Sequence, residues 1–514
     1  MSHTILQTKE GEAVSRTGDA IALASIMVGG VILRLCVLGA HPHIEADGYF
    51  YLKIAEQFRT GGNPFHPLFH PFYPILIAGA EWFVRDAERA GRLVSALTGT
   101  LTIFPAFYLA RRLFDSRIAL ATAVLVAVHP LLVLASTYVL CEATYALLIT
   151  TAAALVLRAM DDRSGRPLPF AGLLLGAAYL ARPEGLLLAP VLFGWWLVAM
   201  WGQPLRRKTA LAWAGLGLAV TVLVALPYLV YLRTTLGMWT LSGKVAHNFA
   251  MDSGLAAAPT HLGDLLAQTA GIAHRYARNL FVADKYTLPA LFPPVLMLLL
   301  ALGLFAVRPQ GERDKRAIAF LLSLWLPTLV VPLFHIETRV FVPYLATGLI
   351  LVARGACWMG ASRTPQDGQP SGGGRREWAT WLVLGFVSLV VLPHAVRPLL
   401  VREPREEIYR EAGAWIANHA PEARRIMDRK PYVAFYSGRD FEPIPPKGNV
   451  GEVLALARQR RVDLLVIDVE LVRGDRPGAE PLTIPTLTPR GLELVRAFGS
   501  PDILPLLLYR LTPP

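Results

Sequence analysis

Charge is what this sequence has least of. Charged residues make up 17% of the chain, against about 25% in an ordinary soluble domain. With so apolar a balance a disordered chain is excluded, and a large soluble enzyme is a poor fit. Cysteine is scarce too. Cys36, Cys141 and Cys357 are too few and too scattered for a disulfide framework or a metal cluster, and read as three inert thiols. There is no short-period repeat, and no inverted pair of Gly/Pro-broken spans of the kind that marks many transporters. What is abundant is apolar: 54% hydrophobic residues over 514 positions, with a mean hydropathy of +0.43. That is the composition of a polytopic membrane protein with an appendage. The net charge of +12 then points to basic cytoplasmic loops, and nucleic acid is not an expected partner.

Hydropathy lays out the body. Residues 1–18 are polar. The run from Ile21 to Ala40 is about 20 residues, long enough to span. Gly39-Ala40-His41-Pro42 is a poor cleavage site, so this run is expected to be a retained first span, with Arg34 snorkelling outward. Further apolar runs fall near 92–110, 118–137, 141–157, 170–182, 185–201, 209–232, 286–307, 317–334, 340–353 and 378–397. The expectation is about eleven transmembrane helices over 19–398, with 71–84 a shorter apolar stretch, interfacial or re-entrant. Placing 1–18 inside puts about 19 Lys/Arg in roughly 75 inside residues, against about 11 in roughly 116 outside ones. The N-terminus is therefore expected in the cytoplasm. A Gly/Pro-rich linker (355–377) falls inside, and the loops 41–91 and 234–285 and the C-terminus fall outside.

From about residue 399 the pattern changes. Arg405–Ala420 and Val450–Arg461 read as amphipathic helices, and Arg425–Asp428, Val462–Asp468 and Leu506–Leu511 as short buried strands. The expected fold is an α-helical membrane protein with a small extracytoplasmic α/β domain over 399–514.

The outer face collects the unusual polar residues. After span 1 comes Glu45-Ala-Asp47-Gly-Tyr-Phe-Tyr51. Tyr51, Ile54, Ala55 and Phe58 then recur at helical spacing, opposite Lys53, Glu56, Gln57 and Thr60, and Gly61-Gly62 ends the run. This predicts an amphipathic helix in the membrane interface. Asp47 at its start suits an N-cap and equally a general base backed by Glu45. Next is His66-Pro-Leu-Phe-His70-Pro-Phe-Tyr73-Pro74. Its two histidines are a thin basis for a divalent metal, because no third ligand is in sight. Arg92 opens span 2 as an interfacial anchor or an anion site. Glu142 lies in a run from Ile118 to Leu157 with little other charge, where an ionisable group is a functional candidate by default. Arg182-Pro-Glu184 and His335-Ile-Glu337-Thr-Arg339 fall in two further outer turns. Carboxylates and arginines gathered at one leaflet suit chemistry on an amphiphile with an anionic headgroup, since arginine grips phosphate in a fork.

Several of these segments, in this order, resemble GT-C glycosyltransferases, of the protein O-mannosyltransferase and lipid A aminoarabinose transferase branch. They are Glu45–Tyr51, Gly61-Gly62 and His70–Pro74; then Arg92–Leu97, with Ala110–Phe114 at the other end of that span; then Leu140-Cys-Glu142-Ala, Leu180–Leu186, Glu337–Pro343 and Val433–Gly438. The resemblance covers nearly the whole chain and implies transfer of a sugar, with inversion, from a polyprenyl-phosphate donor to a hydroxyl. The acceptor would be a glycolipid, a polysaccharide or a protein. By the same resemblance Asp47 is the catalytic acid position; the branch often has an adjacent acidic pair there, and Glu45-Ala-Asp47 departs from it, which leaves open whether Glu45 substitutes for the missing partner. Arg92, Arg182 and Arg339 are candidates for the leaving phosphate. Tyr51, His70, Tyr73, Glu142, Glu184, Lys244 and Glu337 complete the candidate substrate site, and Lys244, His247 and Arg275 mark a loop able to close on a bound lipid. A phosphodiester leaving group needs a base on one side and positive charge on the other, so no cofactor is required. No Asp-x-Asp motif appears in the outer loops. The alternative function is a lipid-linked saccharide transporter. The arginine-rich, lysine-poor composition points to a bacterial cytoplasmic membrane and an undecaprenyl carrier.

Overall fold

A computed structural model describes residues 2–39, 44–201, 207–244, 269–306, 311–333, 336–361, 374–400, 404–445, 448–485, 488–499 and 504–512. The chain divides into two compact units. The membrane unit is Met1–Leu38 with Tyr51–Arg397, and the α/β unit is Gly39–Phe50 with Pro398–Pro514. The second unit thus takes in a short piece of the first outer loop as well as the C-terminal segment.

Among the described residues of the membrane unit eight helices are long and apolar enough to span: Thr17–Leu38, Ala87–Leu113, Glu142–Asp162, Glu184–Trp201, Arg207–Leu236, Glu312–Leu333, Thr338–Met359 and Thr380–Arg397. Ser116–Val128 and Leu168–Ala181 are shorter apolar helices, and Ala273–Leu291 with Pro294–Phe305 is a bent pair. Every run expected to span is therefore helical, and three of the eleven are short or broken. Phe72–Val84 is a further 13-residue helix. Large apolar side chains lie on the outside, with Phe83 90% and Phe305 82% exposed, as befits a surface solvated by hydrocarbon. Small residues let helices close on one another. A methyl group at Gly172 would collide with the Gly217 carbonyl, and the Thr221 hydroxyl donates to the Gly172 carbonyl at 3.1 Å.

Arg34 does not snorkel. It is fully buried and donates to the carbonyls of Gly30 (3.2 Å), Ala127 (3.1 Å) and Val126 (3.4 Å). The reason lies 96 residues away. The helix Ser116–Val128 stops at His129, whose ψ is 124°, and Pro130 has no N–H to offer the Val126 carbonyl. Arg34 supplies that donor from a neighbouring helix.

The segment 234–285 is largely helical where it is described, with bends and irregular backbone over 237–242. Arg207–Leu236 runs into it as helix, and Thr269–Val282 and Ala283–Thr287 are helical. Residues 245–268, including His247, lie outside the described residues. So do 362–373 of the expected linker, whose flanks belong to helices Leu345–Ala361 and Gly374–Leu400.

The α/β unit is built on a five-stranded sheet. The strands are β1 Arg425–Asp428, β2 Asp440–Pro443, β3 Leu464–Asp468, β4 Leu492–Phe498 and β5 Leu506–Leu511, in the order β2-β1-β3-β5-β4. β1 runs parallel to β2 and β3, while β5 is antiparallel to β3 and β4. Alternate residues face opposite ways. Ile426, Val466 and Leu508 pack on Ile408, Tyr409 and Ile416 of helix Pro404–His419, while Met427, Leu465 and Leu507 pack on Val453 and Leu454 of helix Val450–Gln459. β2 and β4 are the strands that periodicity does not announce. β2 is a four-residue edge strand closed by a proline, and β4 carries a register shift between Leu494 and Arg496.

Candidate active site

The membrane unit gathers its ionisable residues where helices begin. Glu142 opens the helix Glu142–Asp162, where the positive end of the helix dipole favours a carboxylate. Arg182 and Glu184 flank Pro183, at the junction of helices Leu168–Ala181 and Glu184–Trp201. The Arg182 guanidinium bridges both carboxylates. Nη1 donates to Glu142 at 3.0 Å, and Nε lies 3.4 Å from Glu184. The other Glu142 oxygen is buried with no hydrogen-bond partner. Nearby, the Tyr51 hydroxyl donates to the Cys141 sulfur at 3.2 Å, and the Tyr145 and Tyr344 hydroxyls meet at 2.9 Å. Arg339, in the first turn of Thr338–Phe341, pairs with Glu337 and lies within electrostatic reach of Cys141. Glu142, Ser136 and Thr102 also line a cavity of about 10 Å³, room for about one water and not for a sugar.

Other expected residues have structural partners. Arg92 is held by Glu88 at 2.8 Å and by the Leu38 and Thr137 carbonyls. Tyr73 is fully buried, donates to the Gly91 carbonyl at 2.9 Å and meets Ser95 at 2.8 Å. Lys244 sits over the Phe69 ring at 5.1 Å. The His66 ring accepts from the Leu68 amide at 3.1 Å. His70 is buried against Tyr179 and Tyr228, at ring distances of 5.3 and 4.7 Å. Burial pushes it down to about 3, and the charges of Arg182 and Lys244 act in the same direction, so it is a neutral imidazole. No group of three or more His, Cys, Asp or Glu is placed to hold a metal among the described residues. His335 lies outside them.

Glu45 and Asp47 belong to the α/β unit. Asp47 is in the first turn of helix Ala46–Thr60, one position inside its start. Both carboxylates are half-buried, while Ile44 and Tyr49 on either side are buried. Within this unit the Ile44 amide donates to the Tyr436 hydroxyl at 2.9 Å. Tyr49 lies edge-on to Phe435 (6.5 Å) and Phe441 (5.8 Å). The Tyr432 hydroxyl is pushed up by burial, then by the charges of Glu45, Asp428 and Asp47. Asp428 ends β1 and Asp468 ends β3, both buried. Asp468 accepts from the Tyr409 hydroxyl at 2.6 Å and from the Glu470 and Leu471 amides at 3.1 Å. Reasoning from sequence placed Tyr436 in a segment of resemblance and Asp428 in a strand without giving either a role, and missed Tyr432. The available signal was three aromatics within five residues at 432–436.

Known proteins share this architecture. Residues 66–231 match the family model described as dolichyl-phosphate-mannose-protein mannosyltransferase. ArnT from Cupriavidus metallidurans, solved bound to undecaprenyl phosphate, superposes with a TM-score of 0.60 over 96% of this chain and 98% of its own. This chain has the GT-C glycosyltransferase fold. The Archaeoglobus fulgidus oligosaccharyltransferase, solved tethered to an acceptor peptide, gives a TM-score of 0.55 over 90% of this chain and 71% of its own. AglB of the same organism, solved with an inhibitory peptide and a dolichol-phosphate, gives 0.53 over 91% and 73%. Identities of 15%, 15% and 14% make these likenesses of fold. Among curated proteins none matches the sequence.

Proposed function

We propose that this chain transfers a sugar, with inversion, from a polyprenyl-phosphate donor to a hydroxyl acceptor at the outer face of a bacterial cytoplasmic membrane. The observation that supports the reading most is the family match over 66–231. That stretch contains His70, Tyr73, Arg92, Glu142, Arg182 and Glu184. The acceptor classes are a glycolipid, a polysaccharide or a protein. The lysine and arginine bias of the loops supports a cytoplasmic N-terminus and an extracytoplasmic α/β unit.

In the proposed step Asp47 takes the acceptor's hydroxyl proton, and the acceptor oxygen bonds to the anomeric carbon. The bond from that carbon to the phosphate oxygen breaks, and the polyprenyl phosphate leaves with the electron pair. Positive charge near the leaving oxygens lowers the barrier. Of the three arginines, Arg339 suits this best. Its side chain is 31% exposed, against 13% for Arg182 and 5% for Arg92. Arg182, already bridging Glu142 and Glu184, is assigned to hold that network in register, and Arg92 to anchor its helix. The step as written uses no cofactor.

The test is turnover in lipid. Purified protein is incubated with a panel of polyprenyl-phosphate sugars and candidate acceptors, and release of polyprenyl phosphate is followed by mass spectrometry, wild type beside Asp47→Asn. Release that needs Asp47 is expected and names the donor. Release that survives Asp47→Asn moves the base to Glu45 or Glu142. Donor movement across liposomes without release would replace the transferase with the transporter reading.

A further inference from the structure

We propose that helix Tyr432–Ser437 of the α/β unit is the clamp that positions the Asp47 carboxylate, with the Tyr436 hydroxyl as its latch on the Ile44 amide. This rests on the reading of Asp47 as the base, and it gives the C-terminal unit a part in the same reaction.

The argument starts from helical spacing. Tyr432, Phe435 and Tyr436 fall at i, i+3 and i+4, so they share one face. Val433, Ala434 and Ser437 are buried, with Val433 and Ala434 in the cluster that covers the sheet. The aromatic face meets the segment 44–50 on both sides of Asp47. Before it, Tyr436 accepts from the Ile44 amide at 2.9 Å. After it, Phe435 meets Tyr49 at 6.5 Å, and Phe441 of β2 meets Tyr49 at 5.8 Å and Phe50 at 6.4 Å. Ile44 is 1% and Tyr49 6% exposed, while Glu45 and Asp47 between them stay half-open. A short strip is thus pinned at its ends with its carboxylates left accessible. The Tyr432 hydroxyl feels the charges of both, which locates the clamp beside them. The Arg410 guanidinium lies over the Tyr436 ring at 4.4 Å, a second contact on the latch residue. A base must be held close to its productive position, because misplacement by about 1 Å can cost on the order of 10²-fold.

Tyr436 is a positioning residue, and its removal should show in kcat rather than in donor binding. The variant is Tyr436→Phe, which keeps the ring and deletes the acceptor. Expected are a fall in kcat of about five- to tenfold, the worth of one hydrogen bond, an unchanged donor KM, and faster hydrogen exchange at the Ile44 amide. In an Ile44→Pro background, which removes the amide itself, Tyr436→Phe should cost nothing further. The measurements use the full chain in lipid. Unchanged exchange at Ile44 overturns the latch. Faster exchange with undiminished kcat, in an enzyme that Asp47→Asn silences, overturns its role in positioning. An equal Tyr436→Phe penalty in the Ile44→Pro background shows a general loss of stability and overturns it too. Should Asp47→Asn leave turnover intact, the base assignment falls, and the positioning role falls with it whatever the exchange shows.

Discussion

The buried arginines of the membrane unit and the Glu45–Asp47 pair of the α/β unit are kept in opposite ways. In the membrane unit apolar residues both fill the core and cover the outside, and buried arginines are tied to specific partners: Arg34 to three carbonyls, Arg92 to Glu88, Arg182 to two glutamates. In the α/β unit the apolar residues fill two clusters on either side of a sheet, and Glu45 and Asp47 lie half-buried. The contrast follows from the solvent. Hydrocarbon offers no hydrogen bonds, so a buried charge there must find its partner inside the protein. Water solvates a half-exposed carboxylate, and a general base needs open access to the proton it takes. Removing Arg182 or Arg34 should therefore cost stability, and removing Asp47 should cost activity.

The largest effect expected is Asp47→Asn. Turnover should fall about 10²–10⁴-fold, the usual contribution of a positioned base, with the thermal unfolding midpoint unchanged. A parallel loss of stability would erase the contrast, because it would make Asp47 structural.

Arg182→Met probes the other side. It strands Glu142 and Glu184, and breaking a buried pair in this way typically costs about 3–5 kcal/mol. The reading is thermal unfolding in detergent or lipid. Glu142→Gln in the same chain should recover part of that loss, since no unpaired charge then remains at that position. Additive losses instead would mean that the 3.0 Å contact carries little energy.

Both halves of the fold were legible because both rest on local periodicity. The spans are long apolar runs, and β1, β3 and β5 are short apolar strands. The polar strand β2 and the shifted strand β4 lack that signature. For the site, chain topology alone sent Glu142, Arg182 and Glu184 to one side, and the structure joins them through one guanidinium. What topology could not supply is the partner that each group takes. Arg92 meets Glu88 one turn away rather than standing open. Ile44 meets Tyr436 across 392 positions, and no pattern in either segment specifies the other. Arg34 failed as an expectation for the same reason, because the carbonyls it serves are exposed by a proline on another helix.

That last point gives the third test. Arg34→Met leaves the Val126 and Ala127 carbonyls without their donor, at a cost of about 1–3 kcal/mol. Pro130→Ala restores an N–H one helical turn beyond Val126. In the Arg34→Met background it should therefore return about 1 kcal/mol, more than it gives in the wild type. Equal effects in both backgrounds would show that Arg34 does not compensate for Pro130.

The smallest effect, and the one that sharpens the contrast from the α/β side, concerns Asp428. Burial pushes its carboxyl well above the ordinary 3.8, and the neighbouring charge of Asp468 pushes it further. The folded state then holds a proton that the unfolded state releases near pH 4. Such a group binds more protons when folded, so stability declines as pH rises. The window opens at the unfolded value near 3.8 and closes at the raised folded value. Asp428→Asn keeps an oxygen to accept from the Arg429 amide, a contact of 2.6 Å in the wild type, and has no proton to lose. Thermal unfolding followed across this window should show a downward slope in the wild type that is absent in the variant. An identical slope in both would assign the pH dependence elsewhere. A variant less stable than the wild type even at the acid end would mean that the carboxyl donates a hydrogen bond that the amide cannot replace.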